Sequence, residues 1–254
     1  MSFDCPHLKP NQTKPRPKTQ DQRPKTKDPK TRKARFRLSS TLQKRPTIVG
    51  VGGLTSQVGK TTLVCDLLSA FPGWEAIKTT RGHYRSCGKD PHTCCVSDLL
   101  ESEPVVHTGR DLTYTPGKDT GRYWDAGARN VHWVIATDDQ VDAGIKTALS
   151  RVEAPGVFIE GNSFAKYIET DYFVMVARPS DWRMKSTARS VLGHVSAIYF
   201  SGEREPGNNP MERALRDSCS QGRNSNVPIF TPASRQDLFS CLRKLESPAF
   251  ISNE

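Results

Sequence analysis

Short apolar runs rich in β-branched residues recur between residues 46 and 254, and segments of helical periodicity separate them. Several runs are apolar throughout, without the in/out alternation of a half-exposed strand, which is typical of a parallel sheet covered on both faces. The pattern predicts one α/β domain. Strands are expected at 47–51, 74–79, 131–136, 157–159, 172–177, 195–200 and 227–230. Helices are expected at 61–71, 119–128, 138–151, 182–192, 211–216 and 234–245.

The first predicted strand runs into a glycine-rich loop and then a helix start, in the order PTIVGVGGLTSQVGKTTLV. This is the phosphate-binding P-loop arrangement, in which backbone N–H groups and the helix N-terminus surround phosphate groups. Lys60 is expected to reach the β- and γ-phosphates, and Thr61 to give its hydroxyl to Mg²⁺. The nucleotide-contacting residues are predicted to be Gly53, Thr55, Ser56, Gln57, Val58, Gly59, Lys60, Thr61 and Thr62.

The loop departs from the usual spacing in one place. The first glycine of a P-loop stands five residues before the last one, and that position holds Leu54, whereas the glycine is at Gly53. The longer form, GLTSQVGKTT, resembles the loop of dethiobiotin synthetase and its relatives. A glycine-rich turn that binds nothing is the alternative.

The excess positive charge of the chain is confined to its first 45 residues. Of the 37 Lys and Arg, 14 lie there with three of the 27 Asp and Glu, a net charge of +11 that leaves −1 for the remainder. This segment is poor in apolar residues, which predicts a disordered basic tail at 1–45 before a domain at 46–254. The tail either contacts a polyanion such as nucleic acid, or is a solubilising extension or a misassigned start.

Neither a membrane-spanning apolar run nor a signal-like N-terminal segment is present in the sequence, which predicts a cytoplasmic protein without membrane contact. The seven cysteines are then expected as thiols or metal ligands rather than disulfides.

Two further segments carry a family resemblance. Residues 114–128 are YTPGKDTGRYWDAGA, and residues 157–161 are VFIEG. Together with the P-loop and the Ile77-Lys78 pair of the second strand, they resemble, in order, the motifs of the molybdopterin-guanine dinucleotide biosynthesis protein B (MobB) family of P-loop NTPases. The resemblance covers roughly residues 46–180 and implies GTP binding with slow hydrolysis, accessory to molybdenum cofactor synthesis. It also implies molybdopterin and a molybdenum-cofactor guanylyltransferase as partners, and a homodimer.

The resemblance gives three residues a role. Glu160 would hold Mg²⁺ or polarise a catalytic water at the end of a strand, the alternative being a carboxylate that caps the next turn. Asp119 and Lys118 would lie near the phosphates, with Asp119 approaching Mg²⁺; an N-cap role for Asp119 is the alternative. Lys60, Glu160 and Asp119 are the predicted catalytic residues.

A cysteine- and histidine-rich segment departs from the family pattern. It holds five soft-metal ligands within thirteen residues: His83, Cys87, His92, Cys94 and Cys95. Thiolate and imidazole suit Zn²⁺ or an iron–sulfur cluster, although the spacing matches no usual zinc finger, and incidental cysteines are the alternative.

Two other functions stay open. The dethiobiotin-synthetase-like loop favours an ATP-dependent small-molecule kinase or ligase, and a nucleotide- or metal-sensing module with a polyanion-binding tail needs no turnover. The loops that begin at Ala177 and Phe200 are the expected base contacts, and they do not distinguish GTP from ATP.

Overall fold

The computed structural model describes residues 45–82, 96–202, 210–220 and 227–246. Eight strands form one sheet: β1 Thr47–Gly53, β2 Glu75–Arg81, β3 Val105–Thr108, β4 Val131–Ala136, β5 Gly156–Glu160, β6 Tyr172–Ala177, β7 Ala197–Phe200 and β8 Ile229–Phe230. Their order is β3-β4-β2-β5-β1-β6-β7-β8, and every pairing is parallel except β3 with β4. The predicted mostly parallel sheet is confirmed.

Seven α-helices occur in the described chain: α1 Lys60–Ala70, α2 Arg110–Thr113, α3 Asp119–Asp125, α4 Val141–Leu149, α5 Ser186–Arg189, α6 Pro210–Ser220 and α7 Arg235–Glu246. Short 3₁₀ turns lie at Ser97–Leu99, Asp138–Gln140, Ser163–Lys166 and Leu192–His194. None of these helices has the length and apolar character that a bilayer-spanning segment needs.

Helices cover both faces of the sheet, and each face has its own apolar core. On one face the buried side chains of α1, α3 and α7 pack on β1, β5 and β6, with Trp74 stacked on Phe158 at 4.6 Å between ring centroids. On the other face α4, α5 and α6 pack on alternate residues of the same strands. Burial on both faces explains why these strands are apolar throughout, and it fixes the carboxyl ends of the parallel strands at one edge.

The sequence pattern missed the edge strand β3 and helix α2, which fall where an irregular region was expected. All four residues of β3 are only half-buried, because the strand pairs with β4 alone at the sheet edge. A strand without a buried face leaves a weak hydrophobic signal.

Two helix predictions need correction. The helix expected at 182–192 is reduced to α5 and a 3₁₀ turn, because the Lys185 N–H donates to the Leu54 carbonyl at 2.9 Å instead of to a preceding helical turn. The helix predicted at 138–151 begins as a 3₁₀ turn over Asp138–Gln140, capped by Thr137 in a reciprocal pair with Gln140, and continues as α4.

Candidate functional site

Residues 54–59 connect β1 to α1 at the carboxyl edge of the sheet. Gly59 precedes α1 with φ 94°, a left-handed conformation that glycine adopts without strain, and none of the described side chains caps the helix. The first N–H groups of α1 are therefore available to an anion, and the helix dipole favours negative charge there.

The shifted glycine of the loop has a packing reason. Leu54 is only 1% exposed and belongs to the core, and its N–H donates to the Val176 carbonyl at 3.0 Å, which continues the pairing of β1 with β6. A Cβ on Gly53 would come within 2.9 Å of Lys60 Cδ and 2.8 Å of Val58 Cγ2. Gly53 thus leaves space for the aliphatic part of Lys60, while Leu54 anchors the loop.

Asn162 fastens the start of the loop from the neighbouring strand end. Its Oδ1 accepts the Gly53 N–H at 2.8 Å, and its Nδ2 donates to the Gly53 carbonyl at 2.9 Å and to Thr187 Oγ1 at 3.4 Å. One amide side chain therefore ties β1, the turn after β5 and the α5 segment together.

Glu160 is the last residue of β5 and is only 2% exposed. Its Oε2 accepts hydrogen bonds from Thr61 Oγ1 at 2.9 Å and from the Tyr123 hydroxyl, and its Oε1 contacts Lys78 Nζ at 2.6 Å. Burial, reinforced by the Glu160 charge, raises the pKa of Tyr123 well above its ordinary value, which keeps that hydroxyl a donor. A buried carboxylate with three side-chain donors has the satisfied environment that burial demands.

Lys78 of β2 bridges two carboxylates, since its Nζ also lies 2.6 Å from Asp119 Oδ2. Burial alone would lower the pKa of Lys78, but the charges of Glu160 and Asp119 outweigh it and hold the pKa above its ordinary value. The ammonium thus stays charged between the two acids at neutral pH.

Asp119 opens α3 but is not its N-cap, since that position is Lys118 and Lys118 makes no side-chain cap. The N-cap alternative for Asp119 is therefore wrong. Burial would raise the pKa of the Asp119 carboxyl, yet the charge of Lys78 and hydrogen bonds from Lys78 and Thr61 hold it below its ordinary value. Asp119 is an ionised acid turned toward the P-loop.

The oxygen donors suit Mg²⁺ chemically. Thr61 supplies a hydroxyl, and Glu160 and Asp119 supply carboxylates, which are hard ligands of the type Mg²⁺ takes beside phosphate groups. Burial lowers the pKa of Lys60 below its ordinary value, although the Glu160 charge opposes the shift. An anionic ligand would restore the charge balance around that lysine.

Lys60, Lys78, Asp119, Glu160 and Asn162 line one cavity of about 700 Å³, and Thr61, which is not a lining residue, joins them through its hydrogen bond to Glu160. It is lined by the loop residues Gly53, Thr55, Ser56 and Lys60, the strand-end residues Lys78, Thr79, Thr80, Arg81, Trp133, Glu160, Gly161, Asn162 and Ser163, and by Val96, Leu112, Thr113, Thr115, Lys118, Asp119, Thr120, Lys185 and Thr187. The lining holds more lysine and arginine than carboxylate side chains, which favours anionic ligands.

The remaining predicted loop residues do not face this cavity. Val58 is buried at 1% exposure, and Gln57 is exposed in the left-handed region with φ 58°. Thr62 is exposed, and its Oγ1 accepts a bond from Arg122 Nη2 at 3.3 Å. The side chains of Gln57, Val58 and Thr62 therefore do not line the cavity, and Gln57 and Val58 can contribute their backbone groups to a ligand.

The predicted metal cluster of His83, Cys87, His92, Cys94 and Cys95 and the predicted tail at 1–45 fall on residues 83–95 and 1–44, outside the described residues. Within the described ranges, no group of three or more His, Cys, Asp or Glu side chains is arranged to hold a metal.

Two cysteines that the structure describes are held as thiols by burial. Burial raises the pKa of the Cys65 thiol to about 11 and that of Cys219 to about 12. Cys219 lies buried on α6, because that helix extends to Ser220, beyond the predicted end at 216.

Four side chains of the site were not predicted as site residues: Lys78, Tyr123, Asn162 and Lys185. The sequence did contain a signal for Lys78. Placing a lysine in a core strand costs free energy unless the ammonium has a charged partner, so its presence there indicates a nearby carboxylate. Asn162 follows the strand-end Glu160, where ligand-facing residues of α/β sheets concentrate. Tyr123 and Lys185 carried none, because their positions depend on how α3 and α5 pack.

No family model and no curated protein matches the chain. Among solved structures, HypB from Helicobacter pylori in complex with nickel is similar at 11% identity and a TM-score of 0.45, covering 81% of this chain and 89% of that one.

Two signal recognition proteins are similar more remotely. The signal recognition particle 54 kDa protein from Aeropyrum pernix K1 in complex with GDP matches at 14% identity and TM-score 0.37, covering 80% of this chain and 49% of that one. The receptor FtsY from Elizabethkingia anophelis in complex with GDP matches at 13% identity and TM-score 0.33, covering 73% and 56%. At these TM-scores no family is identified. The fold is a P-loop NTPase fold on the geometry of β1, the loop and α1 within the mostly parallel sheet.

Proposed function

We propose that this protein binds a nucleoside triphosphate with Mg²⁺ at the P-loop and hydrolyses it slowly. The observation that carries the proposal is the convergence of Lys60, the uncapped start of α1 and the Thr61–Glu160 hydrogen bond on one cationic cavity. A phosphate chain is the ligand that these groups recognise together.

The residues divide the work of phosphoryl transfer. Lys60 and the α1 amides bind the β- and γ-phosphate oxygens, and Thr61 and Glu160 hold Mg²⁺, with Asp119 beside them. Bound Mg²⁺ neutralises charge that develops on the phosphate oxygens. Lys78 and Tyr123 orient the Glu160 carboxylate by their hydrogen bonds to it. Catalysis in this proposal is positioning and charge neutralisation, which agrees with slow turnover.

The finer proposal is GTP as the nucleotide and an accessory role in molybdenum cofactor synthesis, with molybdopterin and a molybdenum-cofactor guanylyltransferase as partners. It is supported by the order of the P-loop, Lys78, PGKD, AGA and EG motifs along residues 46–180. In the structure three of these motifs contribute neighbouring side chains, namely Lys78, Asp119 and Glu160.

A second candidate is phosphoryl transfer to a small-molecule acceptor. The cavity continues past Lys78 to the ends of β2 and β4, where Trp133 Nε1 donates to Thr80 Oγ1 at 2.9 Å. In the strand order, β2 and β4 lie on one side of β1, and β6 and β7 lie on the other. This part of the cavity is therefore next to the phosphate-binding loop, in the direction of β2 and β4. It offers hydroxyl and aromatic groups to an acceptor next to the transferred phosphate.

The test is a titration of the purified full chain, with Mg²⁺, against fluorescent GTP and ATP analogues, for the wild type, Lys60→Ala and Lys244→Ala. We expect Lys60→Ala to weaken binding at least about tenfold, because a charge-assisted contact to phosphate is lost. Lys244, an exposed lysine of α7 outside the cavity lining, is the control and should leave affinity unchanged.

The choice of nucleotide separates the candidates. GTP preference supports the molybdenum-cofactor proposal, whereas ATP preference with acceptor-stimulated turnover supports the kinase or ligase. Tight binding without turnover points to a sensing module. Folded protein that binds neither nucleotide contradicts nucleotide binding altogether.

A further inference from the structure

The segment before α5 is tied by its backbone to the P-loop. The Lys185 N–H donates to the Leu54 carbonyl at 2.9 Å, and Thr187 accepts from Asn162, which also binds both backbone groups of Gly53. Ala188, one residue further, is completely buried. The position of Lys185 relative to the loop is therefore set by the fold and not by its own side chain.

The Lys185 side chain extends over the loop to its middle. Its Nζ lies 2.6 Å from Ser56 Oγ, and both residues line the cavity. Ser56 stands three residues before Gly59 in the stretch whose backbone turns around the phosphates. Lys185 therefore brings an ammonium to the middle of the phosphate-binding loop.

The charges in the cavity distinguish Lys185 from Lys78. Lys78 is compensated by Asp119 and Glu160, whereas within the described residues no carboxylate forms an ion pair with Lys60 or Lys185. Burial chiefly, and then the charges of Lys78 and Lys185, lower the pKa of Lys60, while the charge of Glu160 opposes the shift. Lys60 and Lys185 thus carry like charges on one cavity, and a polyanion between them would reduce their repulsion.

We propose that Lys185 is a second phosphate-binding cation of this site, which contacts the terminal phosphate of a bound nucleoside triphosphate and so distinguishes a triphosphate from a diphosphate. The inference rests on the proposed nucleotide binding and adds a specificity-determining residue to it. A diphosphate would satisfy Lys60 and the α1 amides but would leave Lys185 with Ser56 as its partner.

The test compares tri- and diphosphate binding in the full chain with Mg²⁺. Lys185→Ala should weaken binding of a non-hydrolysable GTP analogue about tenfold while GDP affinity changes less than twofold, since one charge-assisted contact is specific to the third phosphate. The ATP-analogue and ADP pair should show the same ratio. Lys185→Arg should retain most of the triphosphate preference, and Lys244→Ala all of it.

A second variant distinguishes a direct contact of Lys185 with phosphate from an effect of the Lys185–Ser56 hydrogen bond on the shape of the loop. Ser56→Ala removes the partner of Lys185 but keeps its charge, so the triphosphate preference should persist. Equal weakening of tri- and diphosphate by Lys185→Ala, no weakening of either, or loss of preference in Ser56→Ala would each overturn the inference while leaving nucleotide binding intact. A folded wild type that binds none of the four nucleotides would instead remove the proposed function on which the inference rests.

Discussion

Two buried glutamates lie at opposite ends of the parallel strands. Glu75 begins β2 and is 1% exposed, and Glu160 ends β5 and is 2% exposed. Glu75 Oε2 contacts His132 Nε2 at 2.8 Å, and its Oε1 accepts the N–H groups of Glu153 and Ala154. His132, itself fully buried, contacts Thr108 through its other ring nitrogen at 3.1 Å.

The two carboxylates differ in what their partners can do. Glu75 is held by backbone groups and a buried ring that have no route to a ligand. Glu160 is held by the side chains of Thr61, Lys78 and Tyr123 beside a cavity, where a hydroxyl and an ammonium can exchange partners. Burial alone therefore does not identify a functional acid. The chemistry of its donors and the adjoining cavity do.

The largest expected effect concerns Glu75, at the amino ends of the parallel strands. Glu75→Ala should lower the free energy of unfolding by about 3 kcal/mol or more, because it removes the partner of a buried imidazole nitrogen, of the buried Ala154 N–H and of the part-buried Glu153 N–H. Urea unfolding followed by circular dichroism measures it. Nucleotide affinity of the folded fraction should stay unchanged, and a loss of affinity comparable to that of Lys60→Ala would contradict the division between the two ends.

The pH dependence of the unfolding free energy provides a control for Glu75→Ala. Burial would raise the pKa of Glu75, but the hydrogen bond with His132 and those from the backbone hold it below its ordinary value. A depressed carboxyl pKa stabilises the fold above the unfolded value of about 4.3 and loses that contribution as pH falls through the folded pKa. Wild-type stability should therefore fall more steeply than that of Glu75→Ala below about pH 4.

The next largest effect concerns Glu160, beside the cavity at the carboxyl ends of the strands. Glu160→Gln should reduce nucleotide turnover about a hundredfold, because it removes a charge from the metal-binding group. It should also lower the free energy of unfolding, by roughly 1–3 kcal/mol, because the amide accepts fewer of the three side-chain hydrogen bonds and leaves Lys78 with Asp119 as its charged partner. Steady-state hydrolysis and urea unfolding give the two numbers, with the exposed Glu169→Gln as control. A large stability loss without loss of turnover would make Glu160 a structural acid like Glu75.

The fold was predictable because its main signal is burial. The runs that form β1, β4, β5 and β6 are buried on both faces and, apart from His132 and the strand-end Glu160, contain no Asp, Glu, Lys, Arg or His. Strand β3 was not predictable, since its half-buried residues pair at one edge only. The reduction of the 182–192 helix was equally hidden, because a hydrogen bond from Lys185 to Leu54 joins residues 131 positions apart.

The site was predictable where one segment determines its own geometry. The loop from Gly53 to Thr61 is such a segment, and Leu54 shows that a change of one position is absorbed by packing. Glu160 was predictable from its place at a strand end. Tyr123 and Lys185 were not, since each reaches the site from an element whose register only the tertiary packing decides.

The smallest expected effect compares two glycines, one at each end of α1. Gly59 and Gly73 have φ 94° and 85°, so alanine at either position should cost about 1 kcal/mol of unfolding free energy. Only at Gly59 would the new Cβ also meet a neighbour, Ser201 Cβ at 2.9 Å, whereas nothing lies within 4 Å at Gly73. Gly59→Ala should therefore also shift the phosphate-binding turn and weaken GTP-analogue binding about tenfold, or 1.4 kcal/mol. Equal weakening in Gly73→Ala would show that strain passes along α1 and that the two ends of the sheet are not independent.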